Sequence, residues 1–261
     1  MPAGDSPFAL VARSRSFPSP VIPIKDNVPT RTFPIVTVGL IAANALVWFW
    51  EVTGTPVEHD VVHYGYYPCT LAGPCDPRIV PPDHLSWYDG VFTSMFMHAG
   101  WLHIIGNMLF LWIFGNNVED SLGHVRFFFW YIAAGLAAAF AQTFVTLQFS
   151  DPTGSSIPNV GASGAIAGVL GAYLVLLPDA SVLTVFFFVF FFIVRQVPAF
   201  LFLGIWFLLQ LWEGGFAVLH PQAGGGVAFF AHLGGFAFGA LTVSLVMKQR
   251  PPRPVTQWTR S

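Results

Sequence analysis

The amino-acid sequence predicts an all-α integral membrane protein with six transmembrane helices and a long external loop between the first two. Three observations lead to this fold class. Of the 261 residues, 54% are hydrophobic and only 9% are charged, whereas a soluble domain carries about 25% charged residues. Six apolar segments have the roughly 17–25 residues that a helix needs to cross a bilayer. The basic residues are concentrated in alternate connections between these segments.

The six apolar segments form one expected membrane domain, residues 35–247. Residues 1–34 mix Pro, Ser, Arg and Lys without an apolar period and are expected to be a flexible tail, as are residues 248–261. The run Val182–Val194 is short for a span, so we expect an interfacial segment before the fifth helix; if it spans, the count becomes seven. The expected spans lie at about 35–51, 100–117, 127–147, 159–177, 197–213 and 227–247.

Positive charge gives the expected orientation, because loops on the cytoplasmic side of a membrane carry an excess of Lys and Arg. With a cytoplasmic N-terminus, only Arg78 of the 11 basic residues falls outside. Both termini are then cytoplasmic and loop 52–99 is external, where Cys69 and Cys75 would form a small disulfide or remain free thiols. Without a long presequence for organelle import, the expected location is a plasma (inner) membrane. The basic residues expected on the cytoplasmic side or at its boundary are Arg13, Arg15, Lys25, Arg31, Arg126, Arg195, Lys248, Arg250, Arg253 and Arg260.

Charge and ligand spacing argue against two classes of partner. A net charge of −2 does not suit nucleic acid, which calls for a basic patch. His98 with His103, and His59 with His63, have spacings that suit metal ligands. However, the sequence contains no His-Glu-x-x-His motif, and the second span holds no carboxylate for a hydrolytic zinc site. We therefore expect neither a metal nor a cofactor.

Four polar side chains lie at a similar depth in three of the expected spans. The second, fourth and sixth spans all run from outside to inside, and their first turns carry His103 with Asn107, Ser163, and His232. At about 1.5 Å rise per residue, these groups lie roughly one or two turns below the external face. Polar groups at this depth are costly unless they face a protein interior or a water-filled cavity. The pattern therefore predicts a wet pocket open to the outside.

A serine beside a histidine is typical of nucleophilic catalysis, because a serine hydroxyl needs a base to become a nucleophile. Ser163 is the expected nucleophile and His232 the expected base. His103 and Asn107 are four residues apart on one helical face and suit an oxyanion hole. No Asp or Glu occurs in these three spans, so the arrangement is a dyad. The alternative is that Ser163 is a helix-packing serine and His232 a structural histidine.

Glycines flank both members of the expected dyad. They form two small-xxx-small pairs, one on the serine helix and one on the histidine helix. Such pairs let membrane helices approach closely, which would bring the hydroxyl and the imidazole within hydrogen-bond reach. The glycines expected to give this structural support are Gly161, Gly164, Gly168, Gly235 and Gly239.

Three motifs give the sequence a resemblance to a known family. They are 98-HAGWLHIIGNMLFLWIFGNNVED-120, 161-GASG-164 and 231-AHLGGFAFG-239. In this order and spacing they resemble the motifs of rhomboid intramembrane serine proteases, over a region from about Phe33 to Met247. The resemblance implies a rhomboid-like bundle of six helices with Ser163 as nucleophile. It also implies that His232 is the general base, and that the oxyanion binds to the Ser163 backbone N–H and to two side chains, those of His103 and Asn107.

Two further expectations follow from the resemblance. Glu119 and Arg126 would form a structural pair at the inner face. Several well-known members carry a Tyr four residues after the nucleophile that stacks on the catalytic histidine, but this sequence has Ala167 there. Two alternatives follow: an aromatic ring from Phe229, Phe230 or Phe236 holds the imidazole instead, or the site is less well organised.

The leading interpretation is an intramembrane serine endopeptidase. The resemblance implies that its substrates are transmembrane proteins in the lipid bilayer, cleaved near the outer face and generally after a small residue. The alternative is a catalytically silent rhomboid-like protein that binds membrane clients. A small-molecule transporter fits less well, because it predicts ionisable groups near the bilayer midplane. The link 213-EGGFAVLHPQAGGG-226 has glycines on both sides of an apolar patch, and it is expected to be a substrate gate or an ordinary flexible loop.

Overall fold

The computed structural model describes residues 21–188, 190–219 and 228–255, and most of them are helical. A 3-10 turn at Pro68–Thr70 and a π-helical turn at Leu111–Gly115 accompany the α-helices. In chain order the helices are α1 (Ile35–Thr53), α2 (Val57–Tyr64), α3 (Trp87–Ser94), α4 (Trp101–Phe110), α5 (Asn116–Leu122), α6 (His124–Phe149), α7 (Pro152–Ser155), α8 (Ser163–Leu176), α9 (Ala199–Leu219) and α10 (Phe229–Val246).

Four of these helices are long and apolar enough to cross a membrane, namely α1, α6, α9 and α10. They correspond to the first, third, fifth and sixth expected spans. The second expected span is divided among α4, the π-helical turn and α5. The fourth is α8, whose 14 residues measure about 21 Å at 1.5 Å per residue, less than the roughly 30 Å of a hydrocarbon core. The protein is therefore a multi-pass membrane protein, and its described residues include four apolar helices of full membrane-crossing length.

A three-stranded antiparallel sheet corrects the all-α prediction. Its strands are β1 (Val21–Asp26), β2 (Ser181–Phe187) and β3 (Phe192–Pro198), in the order β1-β2-β3. The last two strands come from the run Val182–Val194, which we expected to be an interfacial segment. Burial alternates along β2, with Val182 and Thr184 fully buried and their neighbours partly exposed. This period of two, together with β-branched and aromatic residues, favours a strand over a helix.

The segments expected as flexible tails are also partly ordered. Strand β1 lies within residues 1–34, and its Asp26 accepts hydrogen bonds from the Tyr173 hydroxyl at 2.5 Å and the Asn117 amide at 2.7 Å. In the C-terminal segment, the Val255 N–H donates to the Asn27 carbonyl at 2.9 Å. Both segments thus pack against the end of the molecule where α8 finishes. Residues 1–20 and 256–261 lie outside the described part.

Helices α8 and α10 pack backbone against backbone through their glycines. A Cβ added to Gly235 would lie 2.0 Å from the Gly164 carbonyl oxygen, and one added to Gly239 would lie 1.9 Å from that of Gly168. Real side chains do not tolerate such distances, so only glycine fits at either position. This close approach holds the first turns of α8 and α10 side by side, and these turns carry Ser163 and His232.

The segment between α1 and α4, residues 54–100, contains α2, the 3-10 turn and α3, and we call it the cover. Cys69 and Cys75 are joined by a disulfide, which resolves the two alternatives left open for these cysteines. The Arg78 guanidinium donates two hydrogen bonds to Asp76, at 2.9 and 2.6 Å. This contact lowers the pKa of the Asp76 carboxyl to about 2. The cover meets the region before α8 through a two-way backbone bridge between Tyr66 and Asn159.

The expected gate is divided between two parts of the chain. Helix α9 continues to Leu219, so residues 213–219 of the proposed link are helical and not a loop. The other part of that link, residues 220–226, lies outside the described residues.

Candidate active site

Ser163 and His232 are brought together as expected. Their side chains approach to 2.8 Å between Ser163 Oγ and His232 Nε2. Ser163 is the first residue of α8, and His232 lies in the first turn of α10. This distance is a normal hydrogen bond for a hydroxyl and an imidazole, and it places a base directly on the serine proton.

Gly161 allows the chain to turn into α8 and leaves room for His103. Its backbone has a φ of +124°, a value that residues other than glycine rarely adopt. A Cβ added there would lie 2.7 Å from His103 Nε2 and 3.6 Å from Ser163 Oγ. The His103 imidazole and the Ser163 hydroxyl therefore border the same small space. The Ser163 N–H also opens helix α8, where backbone N–H groups have no partner within the helix.

The second nitrogen of His232 has a partner that the sequence did not predict. Its Nδ1 lies 2.5 Å from Gln210 Oε1 on helix α9. Because an amide oxygen only accepts hydrogen bonds, Nδ1 carries the proton and Nε2 presents a lone pair to the serine. This is the tautomer that a general base requires.

An aromatic ring does border His232, but it comes from helix α9. The Trp206 ring lies 5.8 Å from the imidazole between centroids, at an angle of 40°. Among the expected rings, Phe236 packs on Trp206 at 6.1 Å. The expectation that Phe229, Phe230 or Phe236 holds the imidazole is therefore replaced by a Gln210–Trp206 pair. Gln210 is the single polar residue in 199-AFLFLGIWFLLQLW-212, and a polar residue in a membrane helix is a signal of function.

Asn107 and His98 form a second polar pair near His103. The distance from Asn107 Nδ2 to His98 Nε2 is 2.9 Å, and the His98 and His103 rings meet edge to face at 5.1 Å. Burial lowers the pKa of His98 to about 3, helped by the nearby His103, so His98 is neutral. The structure thus pairs Asn107 with His98, whereas His103 is the residue next to the serine.

Metal ligands are not grouped at this site. Within residues 21–188, 190–219 and 228–255, no three His, Cys, Asp or Glu side chains are close enough to hold an ion. His59 and His63 stack on each other with 6.0 Å between their rings, outside the histidine cluster around Ser163.

A small open pocket of about 30 Å³ lies beside Ser163. Helices α6, α8 and α10 supply one part of its wall and residues 159–161 before α8 another, while the cover supplies Tyr66, Val91, Ser94 and Met95. The helical wall consists largely of the smallest side chains, which leaves space close to the hydroxyl. These small residues are Gly135, Ala138, Ala139, Gly164, Ala165 and Ala231.

The expected pair between Glu119 and Arg126 does not form. Buried Glu119 accepts hydrogen bonds from two backbone N–H groups at the start of α1, from the Thr37 hydroxyl at 2.7 Å and from His124 Nδ1 at 2.6 Å. Arg126 instead donates to the Val246 carbonyl at 3.2 Å. Glu119 therefore caps the N–H groups at the N-terminus of α1, which have no partner within the helix. Its negative charge also lies at the positive end of the helix dipole.

The amino-acid sequence is similar to one protein family and to several curated proteins. A family model described as a rhomboid domain matches residues 85–249. The mouse presenilin-associated rhomboid-like protein, mitochondrial, is 28% identical over 225 residues, covering 82% of this chain and 50% of the mouse protein. Rhomboid protein 1, mitochondrial, of Saccharomyces cerevisiae is 32% identical over 167 residues, covering 62% of this chain and 43% of the yeast protein. The Bacillus subtilis rhomboid protease GluP is 40% identical over 84 residues, covering 32% of this chain and 15% of that protein. The chain spans about half the length of the first of these curated relatives.

Proposed function

The chain belongs to the rhomboid family, and we propose that it is an intramembrane serine endopeptidase. Its substrates are transmembrane proteins that it cleaves near the outer face of the membrane. The observation that carries this proposal is the contact of 2.8 Å between Ser163 Oγ and His232 Nε2. A client-binding protein needs neither a base on its serine nor an acceptor on the far side of that base.

The reaction begins when Ser163 Oγ attacks the carbonyl carbon of the scissile peptide bond. His232 Nε2 takes the hydroxyl proton as the C–O bond forms. Collapse of the tetrahedral intermediate breaks the C–N bond, and His232 returns the proton to the leaving amine. Water, deprotonated by the same imidazole, then hydrolyses the acyl-enzyme and restores the serine.

The developing oxyanion needs hydrogen-bond donors where its charge appears. The Ser163 N–H at the start of α8 is one, because it combines an unpaired donor with the positive end of the helix dipole. The His103 imidazole beside Gly161 is the second. Asn107 completes the set with an amide N–H, while its contact to His98 fixes the side chain. A single such donor is worth about 2.7–4 kcal/mol in the transition state.

The small pocket beside Ser163 supports a preference for small residues at the cleavage site. The Gly and Ala residues in its wall leave room for a short side chain next to the hydroxyl. Substrates whose helix unwinds easily would reach this site most readily, since an intact helix hides its peptide bonds.

We further propose that residues 35–247 form a six-span domain. The segment 101–122 and α8 would supply the two spans beyond the four long helices, and the segment between α1 and α4 would lie outside. By the charge argument, both termini are cytoplasmic, and the proposed location is the plasma (inner) membrane. The names of the mouse and yeast relatives give mitochondria for those proteins, so fractionation of the native cell distinguishes the two locations.

The proposed activity is tested by reconstituting the full chain in liposomes with a single-span substrate that carries Ala at the cleavage position. We expect cleavage by the unaltered protein and by Ser121→Ala, a control serine whose hydroxyl bonds within its own helix. We expect none from Ser163→Ala. Equal release of product by Ser163→Ala would refute the proposal, and binding without cleavage by every variant would favour the client-binding alternative.

A further inference from the structure

The turn between β2 and β3 exposes an unusual group of aromatic side chains. Exposed fractions run from 46% at Phe187 to 94% at Phe190. A contiguous exposed apolar patch of this kind marks a surface that contacts a membrane or another protein. We call the five exposed rings of this turn the tip phenylalanines: Phe187, Phe188, Phe190, Phe191 and Phe192.

The sheet that carries these residues is firmly attached at its other end. Val182 and Thr184 are fully buried, and Asp26 of β1 is held by Tyr173 and Asn117. Strand β3 ends at Pro198 and helix α9 begins at the next residue. The Ala199 N–H donates to the Ala180 carbonyl at 2.7 Å. The hairpin is therefore a fixed extension of a membrane helix, with its tip roughly 20 Å from that helix at about 3.3 Å per residue.

We propose that the tip phenylalanines insert into the lipid leaflet on the side of the membrane where α9 begins, as a second membrane contact beside the helix bundle. The apolar surface is continuous with that helix, because the first turns of α9 expose Phe200 at 56%, Leu201 at 44% and Ile205 at 50%. Lipid that covers α9 therefore lies next to the base of the hairpin. This proposal does not depend on the proposed protease activity.

Charge on the strands agrees with a lipid surface. Exposed Arg195 lies on β3 opposite Thr184, and exposed Lys25 lies on β1 opposite Leu183, the neighbouring level of the sheet. Two cations thus separate the apolar tip from the helix bundle. An apolar end beside a band of basic residues is the pattern of an element that rests in the headgroup region and dips into the acyl boundary.

The edge of the sheet argues against two other arrangements. Strand β3 is an edge strand that carries Arg195 and ends in Pro198, and both features oppose pairing with the strand of a second copy. The unpaired backbone groups of that edge also oppose insertion across the bilayer, where no water can satisfy them. The hairpin therefore lies at the interface, with only its aromatic end in the acyl region.

Site-specific fluorescence in liposomes tests the insertion. Phe190→Cys would carry the environment-sensitive dye NBD in the full chain, reconstituted in phosphatidylcholine with phosphatidylglycerol. The native cysteines are paired with each other, so the new thiol is labelled alone. The matched control is Gln196→Cys, an exposed position on the same hairpin. Phe188→Cys serves as a second tip probe if the first variant does not reconstitute.

We expect the dye at the tip to be quenched several-fold more by nitroxide on the upper acyl chain than by aqueous iodide. The control dye should show the reverse. Replacing Arg195→Gln in the tip-labelled protein should reduce the lipid quenching when phosphatidylglycerol is present. Iodide quenching at the tip equal to that at the control, or crosslinking of tip cysteines between two copies, would overturn the proposal.

Discussion

At the residue scale, the imidazole of His232 is held on three sides by residues from two other helices, α8 and α9. Ser163 contacts one nitrogen, Gln210 the other, and the Trp206 ring lies beside the ring plane. Gln210 takes the position that a carboxylate has in a catalytic triad, but it is neutral. It fixes the tautomer without adding charge to stabilise the imidazolium, so its contribution should be smaller than that of a triad aspartate.

Replacing Gln210→Leu tests this positioning role. Loss of the acceptor frees the imidazole to rotate or to change tautomer, and we expect kcat to fall about tenfold, or about 1.4 kcal/mol, with KM little changed. Gln210→Glu keeps an acceptor oxygen and should retain more of the activity. The two constants are measured with a reconstituted transmembrane substrate.

Gln196→Leu, the same exchange on strand β3, is the matched control for this series. A merely structural role for Gln210 would lower kcat for both Gln210 variants alike, in parallel with their thermal stability. Unchanged kcat in Gln210→Leu would show that the imidazole is held by Trp206 alone.

The sequence predicted the contact between Ser163 and His232 but not the residues that surround the imidazole. Ser163, His232 and His103 carry motif spacings that can be read along the chain. Gln210 lies 22 residues from His232 on a helix whose rotation is decided by packing, and no periodicity indicates which face it presents. The single polar residue in an apolar helix was the available signal. For Asn107 the spacing to His103 predicted its helical face, whereas its contact with His98 depends on the path of the chain before α4.

At the element scale, the crossing of α8 and α10 is a glycine contact. Gly235 lies against the Gly164 carbonyl, and Gly239 lies against that of Gly168. The small-xxx-small pattern predicted this contact correctly, because it reports backbone approach directly. It follows that a methyl group at this crossing separates the helices that carry Ser163 and His232.

Gly239→Ala is the variant that separates them with the least chemical change. The added Cβ would meet a carbonyl oxygen at 1.9 Å, so we expect a loss of roughly 1–3 kcal/mol or more in the free energy of unfolding. The proposed proteolytic activity should fall with it, since Gly239 lies seven positions after His232 on α10 and sets the distance between α8 and α10. Thermal unfolding in detergent, followed by circular dichroism, measures the change.

The matched control for that exchange is Gly204→Ala on helix α9, where an added Cβ meets nothing within 4 Å. It should unfold at the temperature of the unaltered protein or slightly above, because alanine favours a helix. Equal stability of Gly239→Ala and Gly204→Ala would contradict the close packing of α8 and α10.

The sheet is the element that the sequence did not reveal. A short apolar run such as Val182–Val194 does not distinguish a buried strand from a helix, and its partner β1 lies far away in the chain, with Val21 opposite Phe186. Pairing at this separation is a tertiary property. The polar composition around β1 resembled a tail, although its Asp26 is bound to Tyr173 and Asn117.

Asp26 makes the attachment of the sheet sensitive to pH. Burial raises the pKa of this carboxyl from 3.8 to about 6, although the Tyr173 hydroxyl opposes the rise. As the pH rises, Asp26 loses its proton at a lower pH in the unfolded chain than in the folded protein. The protonated carboxyl therefore contributes fully to the free energy of unfolding below about pH 4, and this contribution is lost as the pH rises through about 6. The whole effect is at most about 3 kcal/mol.

We therefore expect the protein to unfold at a lower temperature at pH 8 than at pH 5, and Asp26→Asn to remove most of this difference. Asp179→Asn, an exposed carboxyl near the same end, should leave it unchanged. Melting temperatures across this range provide the measurement. An identical pH dependence in Asp26→Asn would mean that another group is responsible.

At the scale of the whole molecule, helix α8 connects two polar regions. Ser163 begins the helix and Tyr173, which binds Asp26, lies ten positions later, about 15 Å along the axis. The short helix is largely buried by its neighbours, so it need not match the thickness of the bilayer itself. Hydropathy alone assigned it the length of a full span, because apolar character does not show whether a helix faces lipid or protein.

The central claim is that Ser163 is a nucleophile activated by His232, and covalent labelling tests it most directly. The full chain in detergent is treated with a fluorophosphonate probe beside Ser163→Ala and His232→Ala, with Ser121→Ala as control. We expect labelling of the unaltered protein and the control at Ser163, none in Ser163→Ala and a sharp reduction in His232→Ala. An unlabelled but folded protein, or labelling that persists in Ser163→Ala, would contradict the claim.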